Sequence, residues 1–196
     1  MEPTIYKPSI YKGAGIYKTG AEGGGGGAVI LGPEEIDGFS YNYVKIGNLY
    51  VITESLKSIA NNSGRSIFYN VSDVTDLVNN NNFGNWRIWS KVDIDYINSY
   101  LQNNLYIKDV SLNLRSSSDW VDNKNGSNSL GLNFFPDGYR KINDSTEYEK
   151  NISSLWRCST GYYHFWINTD TIGINEFIGD YKSAAFLMNL RLVKDV

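Results

Sequence analysis

The sequence predicts an α+β domain carried behind an extended N-terminal arm. Three observations lead there: two segments with helical periodicity, a second half of short strand candidates separated by turn residues, and a glycine run, Gly23 to Gly27, that sets both apart from a repetitive start.

Residues 1–27 read as the arm. Ile-Tyr-Lys occurs three times, at Ile5-Tyr6-Lys7, Ile10-Tyr11-Lys12 and Ile16-Tyr17-Lys18. Pro3 and Pro8 oppose helix, and the five glycines form a joint whose reach grows as the square root of its length. Spacings of five and six residues match no helical period. An extended strand instead places Ile and Lys of each tripeptide on one face and Tyr on the other, a pattern suited to adding to the sheet edge of a partner. Because the two spacings differ, the copies share one face only if a bulge or turn intervenes, and Gly13 to Gly15 supply it. The arm carries three Lys and two Glu, a charge of +1 that leaves −4 for the remainder.

Residues 28–38 read as a linker with a short strand, Ala28 to Leu31, stopped by a turn at Gly32-Pro33. Residues 39–196 form the domain. Strands FSYNYVKI and NLYVITESL flank Gly47-Asn48 as a hairpin, with imperfect alternation of Tyr41, Tyr43 and Lys45 against Phe39, Val44 and Ile46. A short helix follows, with Val71, Val74, Leu77 and Val78 on one face behind a Ser72 cap. The longer helix is placed at about Lys91 to Asn103: Ser90 and Asp93 form a capping box, and Ile94, Ile97, Leu101 and Leu105, with Tyr100, make the apolar stripe. Beyond it lie loops and short strands, ending in FLMNLRLVKDV with alternation at Leu187, Asn189, Arg191 and Val193.

Composition narrows the function. The domain is long enough to bury roughly 70% of its unfolded surface, so it folds without metal or disulfide. A net charge of −3 provides no positive field for phosphates, which removes nucleic acid from the expected partners. The chain shows neither a secretory apolar run at its start nor a membrane-length one elsewhere, and it has a single cysteine, Cys158. Synthesis and assembly in a reducing cytoplasm are therefore expected, with no membrane partner. Fifteen Tyr, five Trp and clustered Asn suit a surface that recognises sugar or protein, although most large rings are expected in the core, Trp120 and Trp156 among them.

Taken in order, KIGNLYVITESLK, FYNVSDVTDLVNN, GNWRIWSKVDIDYINSYL, LNLRSSSDW, LGLNFFPDGYR, LWRCSTGYYHFWI and MNLRLVKD make the sequence similar to the Fibrobacter succinogenes major paralogous (FISUMP) domain. The likeness runs from about Tyr43 to Asp195. It implies a C-type-lectin-like fold: two helices beside small twisted antiparallel sheets, terminal strands close together, and a long irregular region available for ligands. The sequence departs from the family in lacking Cys near Asn85, in having Leu192 in the last strand, and in carrying Trp89 where the family has Pro before the long helix.

Motifs for chemistry are sparse. Phe135-Pro136-Asp137 lacks the first oxygen donor of a lectin Ca²⁺ site, and Trp166-Ile167-Asn168-Thr169-Asp170 spaces its donors differently. Asp122 to Gly126 reads as a solvated turn without the distant Glu of an EF-hand. The only histidine, His164, sits in an aromatic strand candidate, and Cys158 beside Arg157 has no positioned partner in the sequence. The glycine run precedes no Lys-Ser/Thr, so it is no phosphate loop. No cofactor is expected, with Ca²⁺ as the alternative, and no enzymatic activity.

The resemblance implies two settings, bacterial surface proteins and the virions of phages that infect gut bacteria. An arm, a flexible joint and a compact recognition domain match the layout of a phage fibre or decoration protein. The expected function is therefore that of a virion protein. Its arm, through the nine Ile, Tyr and Lys residues of the repeats, would dock on capsid, collar or tail, while its domain binds host glycan or another fibre protein as a homo-oligomer. The alternative is a bacterial cell-surface carbohydrate-binding module. Ligand contacts are expected in the loop-rich half, at Asp119, Asp137, Tyr139, Tyr162, Tyr163, His164 and Trp166.

Overall fold

A computed structural model describes residues 29–57, 68–80, 83–106, 109–143, 146–159, 163–168, 172–176 and 186–196. The arm and Tyr162 lie outside the described residues. The architecture is α+β, as the sequence predicts.

Strands β1 (Ile30–Ile36), β2 (Phe39–Ile46) and β3 (Leu49–Ile52) form an antiparallel meander. The last strand, β11 (Leu192–Asp195), lies between β3 and the short β4 (Arg87–Ile88), giving a five-stranded sheet of order β1-β2-β3-β11-β4. The β2–β3 turn is the expected one at Gly47-Asn48. Gly47 has φ of +58°, and a Cβ there would stand 2.2 Å from Tyr96 Oη, so helix and hairpin touch where no side chain fits. Asn48 N–H donates to that same hydroxyl at 2.9 Å.

Gly32-Pro33 is not the expected turn. The strand continues through it, and the register shifts between Leu31 and Glu34, so the pair forms a bulge; the chain reverses later, at Asp37-Gly38. Opposite the bulge, Tyr41 and Val44 are both buried, which explains the broken alternation in β2.

Helix α1 (Val71–Asn80) is capped by Asn70, not Ser72: Asp73 N–H donates to Asn70 Oδ1 and Asn70 N–H to Asp73 Oδ2, both at 2.8 Å. Of its four predicted core residues only Val74 is fully buried, and Val78 is exposed. Helix α2 (Lys91–Asn103) has the expected bounds and capping box. Its buried Ile94, Ile97 and Leu101 each stabilise the domain by roughly 1.5–3 kcal/mol. Asp93 also takes a bidentate pair from Arg87, at 2.5 and 2.8 Å. Burial opposes ionisation of this carboxyl, but the bonds from Arg87 and Ser90 hold it below the usual aspartate range. The capping box forms the helix entry without proline, and this leaves Trp89 free to point into the core.

A third helix, α3 (Val110–Leu114), stands where the sequence reading has loops and strands; Asp109 caps it by accepting from Leu112 N–H at 2.7 Å. Two small sheets complete the second half. Strands β5 (Tyr139–Lys141), β6 (Glu147–Tyr148) and β10 (Phe186–Leu187) order as β10-β5-β6. Strands β7 (Ser153–Arg157), β8 (Tyr163–Asn168) and β9 (Ile172–Glu176) form the third sheet. Residues Met188 to Val193 are all buried, without the expected alternation, because this stretch runs through the centre of the molecule. It bridges Tyr69 and Trp156 before entering the first sheet.

Aromatic rings fill that centre. Trp89 stacks on Phe134 and meets Trp156 and Phe165 edge-on, with centroids 5.5–6.0 Å apart. Four of the five tryptophans are buried, and each indole N–H of these has an acceptor: Glu34, the Arg157 carbonyl, Ser116 and Ser154. At the sheet's open face, Lys194 reaches Glu34 Oε2 at 2.7 Å, with its ammonium 4.6 Å from the Trp86 ring and 5.5 Å from Tyr43 and Tyr50. This contact latches the first strand to the last.

Candidate functional site

The loops of the second half are sewn together by main-chain hydrogen bonds. Val121 N–H donates to the Asn151 carbonyl at 2.8 Å, Asn151 N–H to Pro136 at 2.7 Å, and Gly138 N–H to Ser153 at 2.9 Å. Three stretches far apart in sequence thus form one region, containing Asp119, Asp137 and Tyr139.

Gly138 is required there. Its φ is +65°, and a Cβ would fall 1.9 Å from the Tyr148 carbonyl. This close approach sets Tyr139 opposite Tyr148 in the β5–β6 ladder, and the two rings stack at 5.4 Å with an interplanar angle of 15°. Phe186 from β10 closes one side, edge-on to Tyr139 at 5.2 Å. All three are half-buried, so the small sheet presents aromatic surface to solvent.

Charged groups lie on both faces of this small sheet: Lys141 shares the face of the rings, whereas the Arg140–Glu147 pair, one position along the ladder, points to the other. Arg140 donates to Glu147 at 2.6 Å and lies 4.8 Å over the Phe68 ring; Lys150 reaches Glu147 from the other side; Lys141 sits 4.4 Å over Tyr148. Bonds from Lys150 and Arg140 hold the Glu147 carboxyl below its ordinary range. Burial, with Glu149 nearby, pushes the Tyr139 phenol up, so it remains a neutral donor and acceptor at physiological pH. The arrangement leaves part of an aromatic surface exposed beside two phenol hydroxyls and the Lys141 ammonium.

The expected ligand residues divide. Asp119 is exposed, at φ of +75°, and accepts from Ser118 Oγ at 2.9 Å. Tyr139 is in the ring cluster and Trp166 is half-buried in β8. Asp137 and His164, expected as ligand contacts, are both buried; His164 pairs across β7–β8 with the fully buried Arg157. Burial and the adjacent Arg157 push the His164 imidazole down to about 4, so at neutral pH it is an uncharged packed ring. Tyr163 contributes to β8 through its backbone pairing with Glu176. Cys158 is buried, and burial pushes its thiol up to about 12.

Sequence reasoning missed Tyr148, Phe186 and Lys141. The Thr146-Glu147-Tyr148-Glu149-Lys150 run, with Tyr between charged residues, was a strand signal of the same kind used elsewhere. Among the described residues no group of three His, Cys, Asp or Glu side chains is placed to hold a metal ion, and no helix is long and apolar enough to cross a membrane. Comparison with protein-family models, curated proteins and solved structures gives no match.

Proposed function

We propose that this chain is a structural protein of a bacteriophage virion, a fibre or decoration component that binds host-surface glycan through a C-type-lectin-like domain. The observation that carries the binding part is the stacked Tyr139–Tyr148 pair, half-exposed, with Phe186 edge-on to Tyr139 and Lys141 over Tyr148. Sugar rings have apolar C–H faces that pack on such rings and hydroxyls that bond to groups such as the two phenols and the Lys141 ammonium. Support for the lectin-like reading comes from the last strand, β11, entering the same sheet as the N-terminal meander beside β3, and from the loop-rich half with its small sheets. The virion part rests on the Ile-Tyr-Lys repeats and the glycine joint, which fit a docking arm.

Cryo-EM of purified particles, together with calorimetric titration of the purified protein with host-surface polysaccharide, tests both parts. The expected result is density for the chain with residues 1–27 against a neighbouring virion protein, and polysaccharide binding that Tyr139→Ala and Tyr148→Ala each weaken. Absence from particles, with glycan binding intact, would replace this reading with a bacterial cell-surface carbohydrate-binding module. Binding indifferent to both tyrosine substitutions would remove the site.

A further inference from the structure

Beside β4, at the opposite edge of the large sheet from β1, a cleft of about 260 Å³ opens between α1 and the start of α2. Leu77, Val78, Phe83 and Ile88 give it an apolar wall, and Arg87 and Ser90 line its polar side. We propose that this cleft receives an Ile-Tyr-Lys unit from the arm of a second copy of this chain.

Charge selects the occupant. Arg87 gives the cleft a positive group, but it already serves two carboxylates, Asp93 through a bidentate pair and Asp195 at 3.2 Å. The local balance is therefore acidic, and an anionic ligand would have to displace an existing partner. Asp195 is the open position: its side chain is 77% exposed and, among the described residues, takes one bond, from Arg87. A ligand with an apolar body and a cationic end satisfies both halves of the site. Each Ile-Tyr-Lys unit is such a ligand, with Ile against Leu77 and Ile88 and Lys on Asp195. The whole arm, at +1, faces a domain at −4.

Topology selects the copy. Ile30, Val44, Val51, Val193 and Arg87 are successive partners across the sheet, so the arm leaves at one end of a single ladder row and the cleft lies at the other. Four strand spacings separate them, about 19 Å. Returning to its own cleft across the open face would lay the arm's lysines over Lys45, which stands beside Tyr50 and next to Lys194 with its partner Glu34. An adjacent copy presents no such barrier, and the residues from Lys18 to Val29 span up to about 36 Å when extended. Donor and acceptor surfaces on opposite edges make a heterologous contact, which propagates from copy to copy into a ring or fibre. Three units per arm raise the local concentration of a weakly held tripeptide.

The inference rests on the reading of residues 1–27 as a docking arm and is independent of the virion assignment. Its test is zero-length carbodiimide cross-linking of the purified full chain, mixing unlabelled and ¹⁵N-labelled copies and identifying the joined peptides by mass spectrometry. Mixed-isotope links from Lys7, Lys12 or Lys18 to Asp195 are expected. They should disappear in Val78→Arg, which blocks the cleft from an exposed position and leaves both reacting groups in place. Links confined to a single copy, links spread equally onto the exposed Glu35 and Asp122, or links that survive Val78→Arg would each overturn the proposal. Inter-copy links formed by a protein absent from particles would remove the virion reading alone. Particles that contain the chain, with no such link in solution, would remove this proposal alone.

Discussion

Arg191 holds its guanidinium 4.0 Å from the centre of the Phe134 ring. The Trp156 ring is 4.4 Å away, and the side chain, fully buried, donates to the carbonyls of Ile52 at 3.1 Å and Leu132 at 2.6 Å. One residue thereby joins the end of β3, the loop before β5 and the aromatic centre. Arg191→Ala should destabilise the domain by about 3–5 kcal/mol, since it opens a cavity and strands two carbonyls. Arg191→Lys should restore only part of this, because an ammonium lacks the planar face that the two rings receive. Urea unfolding of the three proteins measures both.

His164 should make the domain acid-sensitive above the carboxylate range. Its folded value is depressed to about 4 from an ordinary 6.5, so above 6.5 both states are neutral and it has no effect. Between 6.5 and about 4 the unfolded state binds the proton first, and stability falls with pH by up to about 3 kcal/mol before levelling off. His164 is the only histidine in the chain, so the slope of stability between pH 6.5 and 5 isolates it. His164→Gln should flatten that slope in urea titrations at a series of pH values; an unchanged slope would show that the imidazole is not the group responsible.

Gly138→Ala should lose both stability and ligand binding. The positive φ alone costs about 1–3 kcal/mol in a residue with a side chain, and the Cβ would also collide with the Tyr148 carbonyl. The collision pushes β5 from β6 and unstacks Tyr139 from Tyr148. Thermal unfolding together with polysaccharide titration should show a lower Tm and a weaker affinity, whereas Gly84→Ala, in open space with similarly positive φ, should lower Tm without touching affinity.

Cys158 should be inert in the native protein. Buried and held protonated, it should react with a thiol-specific reagent at pH 8 only as fast as the domain opens. A labelling rate that rises with urea in step with unfolding is expected. Rapid stoichiometric labelling in buffer would show the thiol to be accessible.

Where one rule decided an element, it could be read in the sequence. Helix α2 needed only the Ser90–Asp93 spacing and a 3.6-residue stripe, and its bounds are those expected. The β2–β3 hairpin needed only Gly47-Asn48 between apolar runs. Where tertiary packing decided, local signals misled. Gly32-Pro33 has turn chemistry, yet β2 offers partners on both sides of it, so the strand passes through as a bulge. Met188 to Val193 carries Asn and Arg at alternate positions, yet the chain is enclosed on every side and both polar residues are buried. The candidate site was half legible. Of the expected ligand residues Tyr139 stands in the ring cluster and Asp137 is buried, while Tyr148 and Phe186 join Tyr139 only through a ladder between strands that sequence spacing does not reveal.

The latch between Glu34 and Lys194 has a mechanical meaning. Tension carried by residues 1–28 enters the domain at Val29, the start of an edge strand, and an edge strand pulled from its end peels away one hydrogen bond at a time at low force. The Glu34–Lys194 contact bypasses β2 and β3 and hands that load to β11 in the body of the sheet, with Trp86 bracing both partners. Peeling is therefore arrested at Glu34, after the first few residues. Pulled in an optical trap through its N-terminus, the wild-type chain should yield at higher force than Lys194→Ala, even where the two melt at similar temperatures.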